Sequence, residues 1–295
     1  MTSAVDCVGL SKRYGRHWAI QDCDLSIPRG RVVALIGPNG AGKTTLLEIL
    51  AGLRAPTSGD IRIFGIPIQE RTATLPRVGF LAQDRPLYSS FLVRDLLTFG
   101  AHLNPAWDDA FARDRLEHLG IEMGERLARL SGGQQAQVAL TMTLAKRPDL
   151  LLFDEPLANL DPLARRDVTR ALLDATALNA LTVVISSHVV AELVGVCDYI
   201  VILQNGHVQV TGDIDDLLER HVALTGPREA VDSLDTSRLV HLERSGDVAR
   251  VVLAGSGTVA DPRWVSHPMS MEELILAYLQ APSASALPGP ERALA

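Results

Sequence analysis

Gly37-Pro38-Asn39-Gly40-Ala41-Gly42-Lys43-Thr44 is the stretch that most constrains this chain. It fits G-x-x-x-x-G-K-[ST] and follows Val32-Val33-Ala34-Leu35-Ile36, an apolar run that reads as a strand buried on both faces. A helical periodicity begins at Thr44 and runs to Leu53. Strand, glycine-rich turn and helix in that order make a phosphate loop. The glycines let the backbone curl so that several N–H groups face inward. The new helix adds its unpaired N–H groups and the positive end of its dipole. Lys43 supplies a point charge for β- and γ-phosphates. The Thr44 hydroxyl can ligate Mg²⁺, a small ion that prefers oxygen ligands and substrate phosphate. The candidate phosphate-binding residues are therefore Gly37, Pro38, Asn39, Gly40, Ala41, Gly42, Lys43, Thr44 and Thr45.

Two further stretches carry chemistry. Leu150-Leu151-Leu152-Phe153-Asp154-Glu155 is an apolar strand ending in two carboxylates. In phosphate-loop enzymes the last Asp of such a strand holds the Mg²⁺ shell, and the next carboxylate can polarise the attacking water. Without the phosphate loop, the same residues would read as solvated acids at a strand end. Leu130-Ser131-Gly132-Gly133-Gln134 places two glycines before an amphipathic helix, a second helix N-terminus ready for an anion.

Taken in order, the phosphate loop, this pentapeptide and Leu152-Phe153-Asp154-Glu155 resemble the ATP-binding cassette (ABC) ATPases. The resemblance covers about Val5 to Leu218 and implies the remaining roles. Tyr14 matches the aromatic position that stacks on adenine, an interaction worth roughly 1–3 kcal/mol per base. Gln83, after the strand Val78-Gly79-Phe80-Leu81, matches the glutamine that touches Mg²⁺ and water. Ala158-Asn159-Leu160-Asp161 resembles the D-loop that passes between subunits. His188 matches the switch histidine that contacts the γ-phosphate. The resemblance thus implies Glu155, His188 and Gln83 as catalytic, Thr44, Gln83 and Asp154 as metal ligands, and ATP with Mg²⁺ as cofactors. Ser131, Gly132, Gly133 and Gln134 would close the nucleotide site across a dimer, because one chain carries one set of motifs. There are small departures. Gln135 and Ala136 follow the signature where many relatives carry a basic residue, and Asn159 occupies a commonly small position. None removes a catalytic group.

The expected fold class is α/β: a phosphate-loop NTPase core of ABC type with an antiparallel β subdomain, an inserted helical subdomain and a small C-terminal α+β module. Val5 to Pro28 alternates like antiparallel strands. Asp149–Phe153 and Leu181–Ser186 are further buried-strand runs, with a helical pattern over Pro162–Ala177 between them; strands alternating with helices argue for a mainly parallel sheet. Residues 1–218 are the expected cassette, with the helical subdomain at about 87–147 carrying helices at Phe91–Leu103, Asp108–Leu119 and Gly133–Ala145. Residues 219–280 form the expected module: short strands at His221–Leu224, Leu239–Leu242 and Ala249–Leu253 around a brief helix, then a helix over Met269–Gln280 capped by Ser270 and Glu273. The Ala-, Pro- and Ser-rich residues 281–295 are an expected disordered tail.

The net charge of −7 leaves no basic footprint, so no nucleic-acid partner is expected. Cys7, Cys23 and Cys197 form neither a disulfide framework nor a zinc set, and they read as small buried hydrophobes. No run approaches the about 20 apolar residues of a membrane helix. The resemblance implies as partners an integral membrane permease subunit and a second ATPase subunit, as a homodimer or heterodimer. The expected location is the cytoplasmic face of the membrane. Leu87, Tyr88 and Phe91 read either as permease contacts or as subdomain core. A soluble ABC ATPase acting on ribosomes or DNA is the alternative. Ribosome-acting members usually join two cassettes, and DNA-acting members insert a long coiled coil; here only about ninety residues separate Lys43 from Ser131. A scaffold without hydrolysis is disfavoured by Glu155 and His188. The acidic, Leu-rich helix at Met271-Glu272-Glu273-Leu274 resembles the bacterial drug- and antibiotic-export type.

Overall fold

The computed structural model describes residues 3–84, 86–158, 160, 164–170, 173, 181–255 and 261–287. Its framework is a six-stranded sheet in the order β10-β9-β3-β8-β7-β6. The strands are β3 (Val32–Ile36), β6 (Val78–Leu81), β7 (Leu150–Phe153), β8 (Thr182–Ser187), β9 (Tyr199–Gln204) and β10 (His207–Asp213). All neighbours pair in parallel except β9 and β10, which form a hairpin. The turn of that hairpin is Asn205-Gly206, both at positive φ, the pairing that matches strand twist.

Alternate residues of β3 separate the two faces. Val33 and Leu35 face a core shared with helix α1 (Lys43–Leu50) and with an antiparallel sheet ordered β2-β1-β4-β5. That sheet comprises β1 (Ser3–Tyr14), β2 (His17–Pro28), β4 (Ser58–Ile63) and β5 (Ile66–Pro67). Cys7 and Cys23 are buried in this layer, and burial pushes the Cys7 thiol well above its ordinary pKa and that of Cys23 to about 12. Ala34 and Ile36 face the opposite core. Short helix α2 (Arg71–Thr74) precedes β6, and α3 (Val93–Leu103), α4 (Asp109–His118) and α5 (Gly132–Ala145) lie between β6 and β7 with their own apolar cluster. Residues 164–170 are helical (α6), and β9 and β10 precede α7 (Ile214–Glu219). A third sheet orders β12 (Leu239–Ser245), β13 (Val248–Ala254), β11 (His221–Pro227) and β14 (Val265–His267). Helix α8 (Met271–Gln280) follows.

Four sequence expectations change. Strands β4, β9 and β10 were not read from the sequence, although Tyr199–Leu203 is a buried apolar run of the same kind as β3. Helix α3 begins at Val93, not Phe91, because Asp95 accepts the Leu92 N–H and fixes the first turn there. Helix α8 joins the third sheet to the central core: Leu274, Ile275 and Tyr278 are fully buried beside Val240 of β12 and beside Ile200 and Val210 of the central sheet. The tail is not disordered at 281–287. Ala286 bridges Val210 in parallel, and the buried Gln209 amide donates to the carbonyls of Tyr278, Ala281 and Ala284 at 2.9, 2.8 and 2.8 Å. A short backbone segment thus covers the β10 edge, satisfying groups that an open edge strand leaves unpaired. Residues 288–295 lie outside the described residues, as does half of the expected helix 162–177.

Candidate functional site

The carboxyl ends of the parallel strands meet at one level, since Leu81 pairs with Phe153, Phe153 with Ile185, and Ile36 with Ser187. The residues that continue these strands arrive together: Gly37 after β3, Gln83 after β6, Asp154 and Glu155 after β7, His188 after β8. Open α/β sheets bind ligands in this crevice.

In the loop after β3, Pro38, Asn39 and Gly40 are exposed while Gly37, Ala41 and Lys43 are buried. A Cβ on Gly37 would stand 2.1 Å from the Leu203 carbonyl oxygen, and one on Gly42 2.3 Å from that of Ala19. Glycine is required at both by close backbone approach. Gly42 at φ 107° also caps α1. The Lys43 ammonium donates to the carbonyls of Gly37 at 2.8 Å and Pro38 at 3.3 Å, and stands 3.9 Å from Glu155 Oε1. Burial lowers its pKa, and the nearby Glu155 and Asp154 carboxylates pull it back up. Thr44 is exposed on the first turn of α1, with Thr45 half-buried beside it.

Asp154 is 2 % exposed. The Ser186 hydroxyl donates to its Oδ1 at 2.7 Å and accepts the Glu155 N–H at 2.8 Å, so one side chain of β8 orients both acids. Glu155 sits at φ 46°, a left-handed conformation that costs free energy for a residue with a Cβ. It turns the carboxylate back across the strand ends. There Oε2 accepts from Gln83 Nε2 at 3.3 Å and lies 3.1 Å from His188 Nδ1. Sequence reasoning did not single out Ser186. Its signal was a polar pair, Ser186-Ser187, closing an otherwise apolar strand.

The other candidates lie around this centre. Tyr14 ends β1 beside the turn to β2, its ring 5.2 Å from Lys12 Nζ and 5.7 Å from the Arg54 guanidinium. Arg54 in turn pairs with Glu48 of α1, which ties the aromatic ring to the phosphate-loop helix. Ser131 and Gln134 cap α5 reciprocally: Ser131 Oγ accepts the Gln134 N–H at 3.2 Å, and Gln134 Oε1 accepts the Ser131 N–H at 2.9 Å. Ser131 and Gly132 are exposed, and Gly133 and Gln134 half-buried. Among the described residues no hydrogen bond joins this cap to Lys43, Asp154 or Glu155. Gln135 holds the preceding turn by donating to the Leu127 and Leu130 carbonyls, both at 3.1 Å, and Ala136 is buried core. Asn159 and Asp161 lie outside the described residues; Leu160 is buried. A divalent cation would find oxygen donors in the Thr44 hydroxyl, the Asp154 carboxylate and the Gln83 amide, a hard donor set that suits Mg²⁺.

A glycine loop opening a helix beside a strand-end Asp-Glu pair defines a phosphate-loop nucleotide-binding protein. The ABC transporter family's sequence profile matches residues 20–158. The sulfate/thiosulfate import ATP-binding protein CysA of Shigella flexneri is 36% identical over 215 residues, covering 70% of this chain and 59% of the relative. An uncharacterized ABC transporter ATP-binding protein, YxlF of Bacillus subtilis, is 32% identical and covers 72% and 71%. Among solved structures, an ATP-binding subunit of an ABC transporter superposes with TM-score 0.65 at 28% identity, covering 72% of this chain and 91% of that one. The cassette MJ0796, solved as a dimer in a post-hydrolysis state with ADP and Pi, gives 0.62 at 26% identity, covering 71% and 98%. The chain belongs to the ABC transporter family. It spans about three-fifths of the length of the sulfate/thiosulfate relatives it matches.

Proposed function

We propose that two ATPase subunits, at least one of them this chain, sandwich ATP and Mg²⁺ between the phosphate loop of one and the Ser131–Gln134 cap of the other, and so drive a membrane permease. The convergence of Gln83, Lys43 and His188 on the Glu155 carboxylate carries this reading. Lys43 and the loop N–H groups bind the phosphates, and Tyr14 stacks on the base. Thr44, Asp154 and Gln83 hold Mg²⁺, which neutralises phosphate charge. Glu155 takes a proton from the attacking water, and His188 sits against both that carboxylate and the γ-phosphate position. Two side chains on one acid fix its direction, which is what a general base requires. Residues 1–218 act as the cassette, with 87–147 its helical subdomain; 219–280 supply the accessory sheet and return α8 to the core. Tyr88 and Phe91 stack at 5.1 Å, with Phe99 edge-on to both, and Tyr88 is 57 % exposed, which suits permease docking.

No helix among the described residues is long and apolar enough to cross a membrane. In this reading a separate permease subunit supplies the path and this chain works at the membrane's cytoplasmic face. The relatives named with a cargo are importers, which favours import over the export type that the C-terminal helix suggests. The test is reconstitution with the permease in vesicles. Mg²⁺-ATPase activity that disappears in Glu155→Gln supports the reading, and the side on which cargo accumulates decides direction. Undiminished hydrolysis in Glu155→Gln overturns it.

A further inference from the structure

Behind the Glu155–His188 contact lies a second set of polar side chains to which no role has yet been given. Ser187, the last residue of β8, is 5 % exposed. Its hydroxyl accepts the Val189 N–H at 2.9 Å, closing a tight turn across His188, and lies 3.2 Å from Glu192 Oε2. The other oxygen of Glu192 pairs with Arg165 Nη1 at 2.9 Å. Arg165 stands on α6, just beyond the turn that begins at Glu155. The His188 loop is therefore held twice, by Glu155 directly and by Arg165 through Glu192. Glu155, Arg165, Ser187, His188 and Glu192 line one cavity of about 180 Å³.

We propose that Arg165, Glu192 and Ser187 are positioning residues that hold the His188 turn so that its Nδ1 meets the Glu155 carboxylate. Bare stabilisation does not account for the arrangement. The Arg165 side chain is 42 % exposed, where an ion pair contributes little. Its Nε is buried and without a hydrogen-bond partner among the described residues, a cost that a purely structural brace would avoid. The Glu192 carboxylate is largely buried and needs a cation, which Arg165 of α6 provides. A displacement of α6 is thereby transmitted to His188. Phosphate binding, which rests on Lys43 and the loop after β3, is untouched.

The inference rests on the ATPase reading above, and the two fail separately. The full chain is assayed with Mg²⁺-ATP as wild type, Arg165→Ala, Arg165→Lys, Glu192→Gln and Glu155→Gln, with a fluorescent ATP analogue reporting affinity. Arg165→Ala and Glu192→Gln are expected to lower kcat by about 10- to 100-fold, as small misplacements of catalytic groups do. KM and analogue affinity stay within about twofold, and Arg165→Lys recovers most of the rate. A kcat within twofold of wild type in both variants overturns the proposal while Glu155→Gln remains inactive. So does a parallel loss of kcat and affinity, or an Arg165→Lys variant no faster than Arg165→Ala. Full activity in Glu155→Gln overturns the ATPase reading instead.

Discussion

At the Glu155 carboxylate, side chains from two strand ends and one helix start share a single acid. Its position depends on its own left-handed backbone and on the Ser186 hydroxyl beneath it. Glu155→Gln keeps the shape and removes the proposed base, so ATP turnover should fall by about 10²–10⁴-fold while ATP binding persists. Single-turnover assays beside nucleotide titration check this. Gly37 is limited differently. A Cβ there meets a backbone carbonyl, not a movable side chain, so Gly37→Ala must displace the loop. The expected outcome is loss of nucleotide binding together with a lowered melting temperature, read by titration and calorimetry.

Among the elements, α8 is tightly specified. Ser270 and Glu273 cap it reciprocally, and Leu274, Ile275 and Tyr278 bury its inner face. Ser270→Ala should cost about 1 kcal/mol in denaturant unfolding. Its link to β11 is the His221 ring: Nδ1 lies 2.6 Å from the Leu217 carbonyl oxygen and Nε2 2.6 Å from the Tyr278 hydroxyl. The neutral imidazole donates from Nδ1 and accepts the Tyr278 proton at Nε2. Burial lowers the His221 pKa below its ordinary 6.5. The unfolded chain therefore takes up the proton first. This contribution is fully present above pH 6.5 and is lost as the pH falls below it. Melting temperatures between pH 8 and 5.5 should show the decline, and Tyr278→Phe, which strands a buried acceptor, should cost about 1–3 kcal/mol at pH 8.

For the whole molecule, one chain presents its phosphate loop and its Ser131 cap without a hydrogen bond between them among the described residues. In the proposed sandwich, a second copy or a paralogue completes the site. Glu155→Gln with ATP should therefore double in mass by light scattering, and ADP should reverse it. Deleting 281–295 uncovers β10 and leaves the Gln209 amide without its carbonyl partners, so the melting temperature should fall. The phosphate loop, the strand-end acids, the α5 cap and the three helices between β6 and β7 were legible in the sequence. Each is a local pattern whose physics lies within about ten residues. The Gly37 and Gly42 positions, the apolar runs of β3, β7 and β8, and the Ser270 cap needed no partner to be read. Their meeting at one level did need one: the register of four strands brings Gln83, Glu155 and His188 within reach of each other. The roles of Ser186, Arg165 and Glu192 were not legible for the same reason, since an ion pair or a hydroxyl shared between strands has no spacing rule along the chain. The same holds for the packing of α8 and Ala286, which join the central sheet from the far end of the sequence. Local backbone preference and periodicity decided the elements, and long-range pairing of buried polar groups decided the site.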